Sequence, residues 1–163
     1  MEVTYIFRKQ RIGRNFSIEF IFKDLKSRLD KSIKTKDLVC PQFSEGIFKR
    51  IVNILYVSLN KGKGINHVTG DVHYTVLLLP KERTVLSIMD CGFMSGRKGL
   101  AAFFLKTFWL DLPVRKVKYV TTISEYTKKE VIKYTAIDPS KIIVIPVAIN
   151  DIYKPVYKEF NTD

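Results

Sequence analysis

Short apolar runs alternate with longer amphipathic segments along this chain. The runs are rich in β-branched and aromatic residues and are bounded by Gly, Pro, Asn or Ser, which is typical of buried strands. We predict strands at Val3–Phe7, Asp37–Phe43, Ile65–Val68, Arg83–Met89, Tyr119–Ile123 and Ile142–Ile145. Strands that alternate with helical segments indicate an α/β fold with a mainly parallel sheet.

The segments between these strands have the spacing of amphipathic helices. Ser17 can cap the first helix, whose apolar face comprises Ile18, Ile21, Phe22, Leu25 and Leu29. Ser44 starts the second helix, for which we expect a buried face of Ile47, Phe48, Ile51, Ile54, Leu55 and Leu59. Ser124 and Glu125 suit the cap and first turn of a helix that runs to about Thr135. We therefore expect a single Rossmann-like domain over residues 1–149, with helices flanking the sheet, and a departing linker over 150–163.

Composition narrows the class of protein. An apolar content of 46% argues against intrinsic disorder, and the 28 basic against 16 acidic residues leave a net charge of +12. That charge favours a phosphorylated or polyanionic partner or an anionic membrane, although a solvated basic surface would also account for it. Cys40 and Cys91 lack zinc-ligand spacing and are expected to be buried thiols in a reducing compartment. The N-terminus has no signal-peptide pattern and no stretch approaches ~20 apolar residues, so a cytoplasmic location is expected.

The loop after the first strand is basic rather than glycine-rich. A dinucleotide-binding fold would place G-x-G-x-x-G here. Residues 8–15 instead contain a single glycine, Gly13, and four cations, Arg8, Lys9, Arg11 and Arg14. NAD binding and a P-loop are therefore not supported, and no cofactor is expected. Cations before a helix N-terminus favour a phosphate or other acidic group, and a solvated basic loop is the alternative.

Ionisable groups gather where the third and fourth strands end. His73 follows Asp71, and a carboxylate can orient an imidazole for work as a base or as a ligand contact; a purely structural histidine is the alternative. His67 lies inside the strand and is expected to be a packed core residue. Asp90 ends the fourth strand and is either a site carboxylate or a turn cap before Gly92. No His, Cys, Asp and Glu cluster has metal-ligand spacing, so no metal site is expected.

The segment 96–118 combines large aromatic residues with flanking cations. Such a segment can lie in a membrane interface, and the expected contacts are Arg97, Lys98, Phe104 and Trp109. A core helix with cations at its ends is the alternative. Aromatic residues between lysines could also bind single-stranded nucleic acid, but no recognised nucleic-acid motif accompanies them, so that partner is not favoured.

Several segments, taken in order, resemble the N-terminal domain of GT-B glycosyltransferases of the retaining family-4 kind. They are Thr69-Gly70-Asp71-Val72-His73-Tyr74, then Thr84 to Asp90, Val120 to Glu130, and Lys141 to Asn150 with Tyr153-Lys154-Pro155 after it. The resemblance covers roughly Asn53 to Pro155, and it depends on the order and spacing of the segments rather than on one diagnostic motif.

The resemblance implies one half of a two-domain enzyme. In this family the N-terminal domain binds the acceptor, here a saccharide or lipid-linked acceptor of surface polysaccharide or glycolipid synthesis. The nucleotide-sugar donor is held mainly by a C-terminal domain with an E-x7-E segment, which this sequence does not contain. The isolated domain is therefore expected not to turn over donor efficiently, and the expected location is the cytoplasmic face of the inner membrane.

The resemblance also assigns site residues. Asp71, His73 and Asp90 would line the catalytic cleft, and the substrate-binding residues would be Arg11, Gly13, Arg14, Thr69, Gly70, Ser124 and Glu125. Met89 stands before Asp90 where many relatives have a histidine. The catalytic role of that histidine would therefore fall to His73. The alternatives are a non-enzymatic basic α/β module that binds nucleic acid or anionic membrane, and a pairing subunit of a split glycosyltransferase.

Overall fold

A six-stranded, all-parallel sheet forms the centre of the domain in the residues that the structure describes. The computed structural model describes residues 1–11, 13, 17–96, 98–150 and 152–154. The strands are β1 (Glu2–Phe7), β2 (Lys34–Val39), β3 (Ile65–Val68), β4 (Thr84–Ile88), β5 (Tyr119–Thr122) and β6 (Ile142–Val144). Their order across the sheet is β2-β1-β3-β4-β5-β6. The predicted α/β class with a Rossmann-like parallel sheet is confirmed.

Helices connect the strands and flank the sheet. They are α1 (Ser17–Ser27), α2 (Gly46–Asn60), α3 (Gly99–Lys106), α4 (Leu112–Lys116) and α5 (Glu125–Thr135). A π-helical turn, Thr107–Asp111, joins α3 to α4, and short 3₁₀ turns cover His73–Leu78, Lys81–Arg83, Gly92–Met94 and Pro139–Lys141. Ser124 caps α5 as predicted, because its Oγ accepts a hydrogen bond of 3.1 Å from the Thr127 backbone N–H.

The predicted strands agree with the observed ones except for β2, which begins three residues before the predicted Asp37 and ends at Val39. β2 lies at the edge of the sheet, and most of its side chains are exposed, including Lys34 and Lys36. An edge strand with charged side chains has little hydrophobic signal. Only its pairing with β1, where Glu2 lies opposite Lys34, defines where it begins.

Each face of the sheet has its own apolar core. On one face, Ile6, Leu38, Val68, Leu86 and Val120 pack under α2, the turn His73–Leu78, α4 and α5. On the other face, α1 packs Ile18 and Phe22 on Val3, Tyr5 and Phe7. The last described residues also cross this second face, where the Asn150 side chain donates to Asp24 of α1 and Tyr153 packs on Phe20.

The predicted buried face of α2 is wrong. Phe48 is 81% and Leu59 is 84% exposed, and Ile47, Ile51 and Leu55 are also exposed, while only Ile54 of the predicted set is partly buried. The residues that α2 buries are Asn53 and Val57. Nearly the whole circumference of α2 is apolar, so hydrophobicity alone does not select the inward side. The hydrogen bonds of Asn53 to Gln42 and Tyr74 accompany the orientation that is observed.

The connections out of β1 and into β3 create a crevice. Helix α1 leads from β1 to β2 on one face of the sheet, and α2 leads from β2 back to β3 on the other face. The strand order therefore reverses between β1 and β3. In doubly wound sheets, ligands bind outside the carboxyl ends of the strands at this switch point.

Candidate functional site

A cavity of about 300 Å³ lies at the carboxyl ends of β1 and β3. Its lining combines cations and aromatic rings with one hydroxyl and one carboxylate: Arg8, Lys9, Arg11, Phe43, Ser44, Asp71, Phe93 and Trp109. We call this cavity the switch-point crevice. Concave sites with aromatic walls and a few convergent polar groups are the usual form of small-ligand sites.

Arg8 connects the two strands that form the crevice. It directly follows β1, and its Nε lies 3.0 Å from Glu19 Oε1 on α1, while its Nη1 pairs with the Asp71 carboxylate after β3. Burial by itself lowers the pKa of Arg8, but hydrogen bonds and charges from Glu19 and Asp71 raise it above the ordinary value. Arg8 is therefore a fixed cation that orients the Asp71 carboxylate.

Asp71 has a left-handed backbone conformation, with φ of +54°, directly after Gly70 with φ of +127°. Asp tolerates this region better than most residues, and such conformations cluster at functional sites. The Asp71 side chain is 52% exposed, so one carboxylate edge remains open to solvent although the other faces Arg8. The carboxylate can accept hydrogen bonds from a ligand hydroxyl.

Lys9 and Arg11 bracket one aromatic wall of the crevice. The Lys9 ammonium lies 5.0 Å and the Arg11 guanidinium 5.3 Å from the centre of the Phe43 ring. Lys9 also donates to the Pro41 carbonyl, and Arg11 pairs with Glu45, an ion pair that is about half exposed on both sides. These cations are held in place at the mouth of the crevice, where an anion from solvent can reach them.

A hydrogen-bonded network supports the opposite wall. The Ser44 hydroxyl lies 2.7 Å from the Tyr74 hydroxyl, which in turn accepts a bond of 3.0 Å from Asn53 Nδ2. The Trp109 indole packs on Tyr74 with ring centres 4.9 Å apart, and the Arg50 guanidinium stacks over it at 4.2 Å. The position of Ser44 and Trp109 therefore depends on a buried polar cluster under α2.

His73 lies behind the wall of the crevice and not in its lining. It is 3% exposed, and its Nδ1 lies 2.9 Å from the Trp109 carbonyl oxygen, so this nitrogen carries the proton and donates it. Burial lowers the pKa of His73, although the bond to Trp109 and the charges of Asp71 and Asp90 oppose the shift. The imidazole of His73 is therefore neutral, and its hydrogen bond positions the Trp109 backbone.

The other residues predicted for the site have local structural contacts. The Thr69 hydroxyl is buried and donates to the Ile6 carbonyl, which fastens β3 to β1. Asp90 accepts a bond of 2.8 Å from the Gly92 N–H, the turn-cap alternative, and Ser124 caps α5. Glu125 is exposed in the first turn of α5. None of these side chains lines the switch-point crevice.

Some of the residues predicted to bind ligand or membrane in the basic loop and in the segment 96–118 lie within the described residues. Gly13 has φ of +76° with open space around it, while Arg14 and Arg97 lie outside the described residues. Lys98 is exposed at the start of α3, and Phe104 is also exposed. Trp109 is half-buried and divides its contacts between the crevice and the groove beneath α2.

His67 packs on aromatic rings on the α1 face of the sheet, but it is only partly buried and also lines a cavity of about 260 Å³ with Ser87, so the prediction of a packed core residue is only partly correct. Its ring lies 5.3 Å from that of Tyr5 and 5.2 Å from that of Phe22, and its Nε2 lies 2.7 Å from Ser87 Oγ. Burial lowers the pKa of His67 to about 4. Cys40 and Cys91 are buried free thiols, and burial raises the pKa of each to about 12.

Sequence reasoning missed Phe43, Ser44 and Phe93 as lining residues. Phe43 and Ser44 follow β2, and Phe93 follows β4, so all three come after strands whose carboxyl ends face the same edge of the sheet. Their position after a strand could therefore have indicated that they belong to the site. Their residue types could not, because a lone Phe or Ser between two elements is typical of any loop.

The fold and the crevice define this chain as a Rossmann-like α/β domain with a basic, aromatic-walled crevice at its switch point. No protein-family model matches its sequence, and no curated protein is detectably similar to it.

The described residues contain neither a cluster of metal-binding side chains nor a membrane-spanning helix. No group of three or more His, Cys, Asp and Glu side chains lies close enough to hold a metal ion there. No helix within the described part of the chain is both long and apolar enough to cross a bilayer.

Proposed function

We propose that this domain is the acceptor-binding half of a GT-B glycosyltransferase and that the switch-point crevice holds a phosphorylated saccharide acceptor. The observation that carries the proposal is the crevice itself, in which Arg8, Lys9 and Arg11 converge with aromatic walls beside the ends of β1 and β3. The order of the family-4-like segments along the chain supports the same conclusion.

The chemistry of the lining suits both parts of such an acceptor. Arg11 can exchange its exposed pair with Glu45 for a phosphate at little cost, because half-exposed ion pairs contribute about 0–1 kcal/mol. Asp71, oriented by Arg8, accepts hydrogen bonds from sugar hydroxyls. The rings of Phe93 and Trp109 offer apolar surface to the carbon face of a sugar.

In the complete enzyme, a second domain would supply most of the contacts to the nucleotide-sugar donor. The proposed retaining transfer uses the donor phosphate to take up the acceptor proton, so no protein base is required. The buried, neutral His73 agrees with that role, because it holds the Trp109 wall and does not face the acceptor. The crevice side chains would position the acceptor hydroxyl for attack.

Ligand binding by the crevice can be measured through Trp109, the single tryptophan of the chain. We expect N-acetylglucosamine 1-phosphate to change its fluorescence, and the double substitution Lys9→Gln/Arg11→Gln to weaken binding by about 100-fold or more, since charge-assisted contacts are worth about 1.5–3 kcal/mol each. Lys34→Gln/Lys36→Gln is the matched control, because it removes the same charge from exposed positions on β2. Equal weakening by both double variants would show that binding follows net charge and not the crevice.

The same site can be tested by transfer activity once the donor-binding domain is present. The neighbouring reading frame is the first place to look for a domain with the E-x7-E segment. Transfer that survived both Asp71→Ala and His73→Ala unchanged would place the acceptor site elsewhere.

A further inference from the structure

Helices α2 and α3 expose apolar side chains instead of burying them. On α2 the exposed set forms a continuous stripe along the helix: Ile47, Phe48, Ile51, Val52, Leu55, Tyr56 and Leu59. On α3 and the π-turn that follows, Leu100 is 78% exposed, and Phe103, Phe104 and Phe108 are exposed beside it. Exposed apolar patches of this extent mark binding surfaces in folded proteins. We call the two helices together the α2–α3 face.

The two stripes belong to one surface. A groove of about 670 Å³ runs between the helices, and its walls include Ile47 and Ile51 from α2 and Phe104 and Phe108 from the α3 side. Trp109 and Arg50 lie in this groove, and the other side of Trp109 lines the switch-point crevice. The α2–α3 face therefore adjoins the crevice.

Cations predominate around the α2–α3 face, and the nearest carboxylates are Glu45, which caps α2 and lies 3.7 Å from Lys49 Nζ, and Asp111, which ends the π-turn. The sequence contains no Asp or Glu from Gly46 to Gly70 and none from Cys91 to Leu110. The cations within these two stretches of the described chain are Lys49, Arg50, Lys61, Lys63, Lys98 and Lys106. An apolar surface with a cationic rim is complementary to a surface that is apolar beneath and anionic at its boundary.

This charge pattern discriminates between possible occupants. A second copy of the chain in a two-fold dimer would place the same cationic rim against itself, and like charges there oppose association. The last described residues, Ile152 to Lys154, follow a segment that packs against α1 on the opposite face of the sheet. An anionic lipid bilayer satisfies both the apolar stripe and the cationic rim.

We propose that the α2–α3 face docks on an anionic lipid bilayer, with Phe48, Leu59, Leu100 and Phe103 inserted among the acyl chains and the rim lysines on lipid phosphates. Both helices then lie in the plane of the interface. The docking does not depend on the glycosyltransferase proposal. If that proposal is also correct, the docked domain presents the crevice at the lipid surface, where a lipid-linked acceptor resides.

Co-sedimentation with vesicles tests the docking directly. We expect the wild-type chain to bind vesicles of phosphatidylcholine mixed with phosphatidylglycerol, to bind pure phosphatidylcholine weakly, and to lose binding as salt is added. Phe48→Ser/Leu59→Ser should reduce partitioning by about 100-fold or more, because the burial of two large apolar side chains among the acyl chains is lost. Trp109 fluorescence should be quenched by brominated lipid in the wild type and not in this variant.

The matched control is Ile149→Ser/Ile152→Ser, which removes two strongly exposed aliphatic side chains from the opposite side of the sheet. It should bind vesicles as the wild type does, and circular dichroism should show both variants folded.

The proposal is overturned if the wild type fails to bind phosphatidylglycerol vesicles at low salt, or if Phe48→Ser/Leu59→Ser binds them equally well. The proposal is also overturned if the chain self-associates without lipid and the same substitutions abolish that self-association, because the face would then bind a second copy. Lys9→Gln/Arg11→Gln should retain most vesicle binding while losing the sugar phosphate, which separates failure of this proposal from failure of the proposed function.

Discussion

Asn53→Ala is expected to lower the free energy of unfolding by about 2–4 kcal/mol, although it lies on a helix whose outer face tolerates change. Asn53 is fully buried, accepts a bond of 3.0 Å from the Gln42 N–H, and donates to the Gln42 carbonyl and the Tyr74 hydroxyl. Truncation leaves the Gln42 N–H and carbonyl without these partners and removes one of the two hydrogen bonds of the Tyr74 hydroxyl, and each unpaired buried group costs about 1–3 kcal/mol. Urea denaturation monitored by circular dichroism measures the loss.

Asn60→Ala provides the matched control for this prediction. Asn60 is the last residue of α2, is exposed, and donates only to the Tyr56 carbonyl one turn earlier. Its replacement should change the free energy of unfolding by less than about 0.5 kcal/mol. Comparable losses at both positions would mean that the cluster under α2 does not hold the helix. Because Tyr74 also bonds to Ser44, we expect Asn53→Ala to weaken ligand binding in the crevice as well.

Stability is expected to fall as the pH is lowered from about 6.5 to about 4, and His67 is the main cause. The pKa of His67 is lowered by burial to about 4 in the folded chain, from an ordinary value of 6.5. Between these values the unfolded chain binds a proton that the folded chain does not, so acid favours unfolding. The full shift corresponds to at most about 3 kcal/mol, because His67 also lines a cavity, and this stability is present above pH 6.5 and lost as the pH approaches 4.

His67→Gln separates this effect from other acid-sensitive groups. The amide can keep a hydrogen bond to Ser87 Oγ but does not titrate, so unfolding midpoints measured across this pH range should change less steeply than in the wild type. His73, the other histidine of the chain, contributes in the same direction because burial also lowers its pKa. An unaltered slope in His67→Gln would mean that His67 takes up a proton in the folded state. Because the readout is the slope, a uniform loss of stability does not obscure it.

From the sequence, site residues could be predicted only where their position directly after a strand was enough to place them in the crevice. Arg11 and Asp71 follow strands that meet at one edge of a parallel sheet, and the structure brings both into the crevice. Asp90, Ser124 and Glu125 also follow strands, but Asp90 caps the turn at Gly92, and Ser124 and Glu125 begin α5 after the more distant β5, so these side chains do not line the crevice. His73 looked catalytic by its spacing from Asp71, yet the turn at His73–Leu78 carries its ring into the core.

The sequence by itself determined the α/β class, the parallel sheet and nearly all the strand positions. These features depend on local hydrophobic periodicity and on caps such as Ser124, which act within a few residues. Only the tertiary structure decided which side of α2 faces inward and which polar groups share a cavity. Both depend on contacts between distant segments, such as Asn53 with Tyr74 and Arg8 with Asp71, which local periodicity does not encode. A helix that is apolar nearly all round is therefore predicted as a helix from its sequence, but its exposed face is decided by its neighbours.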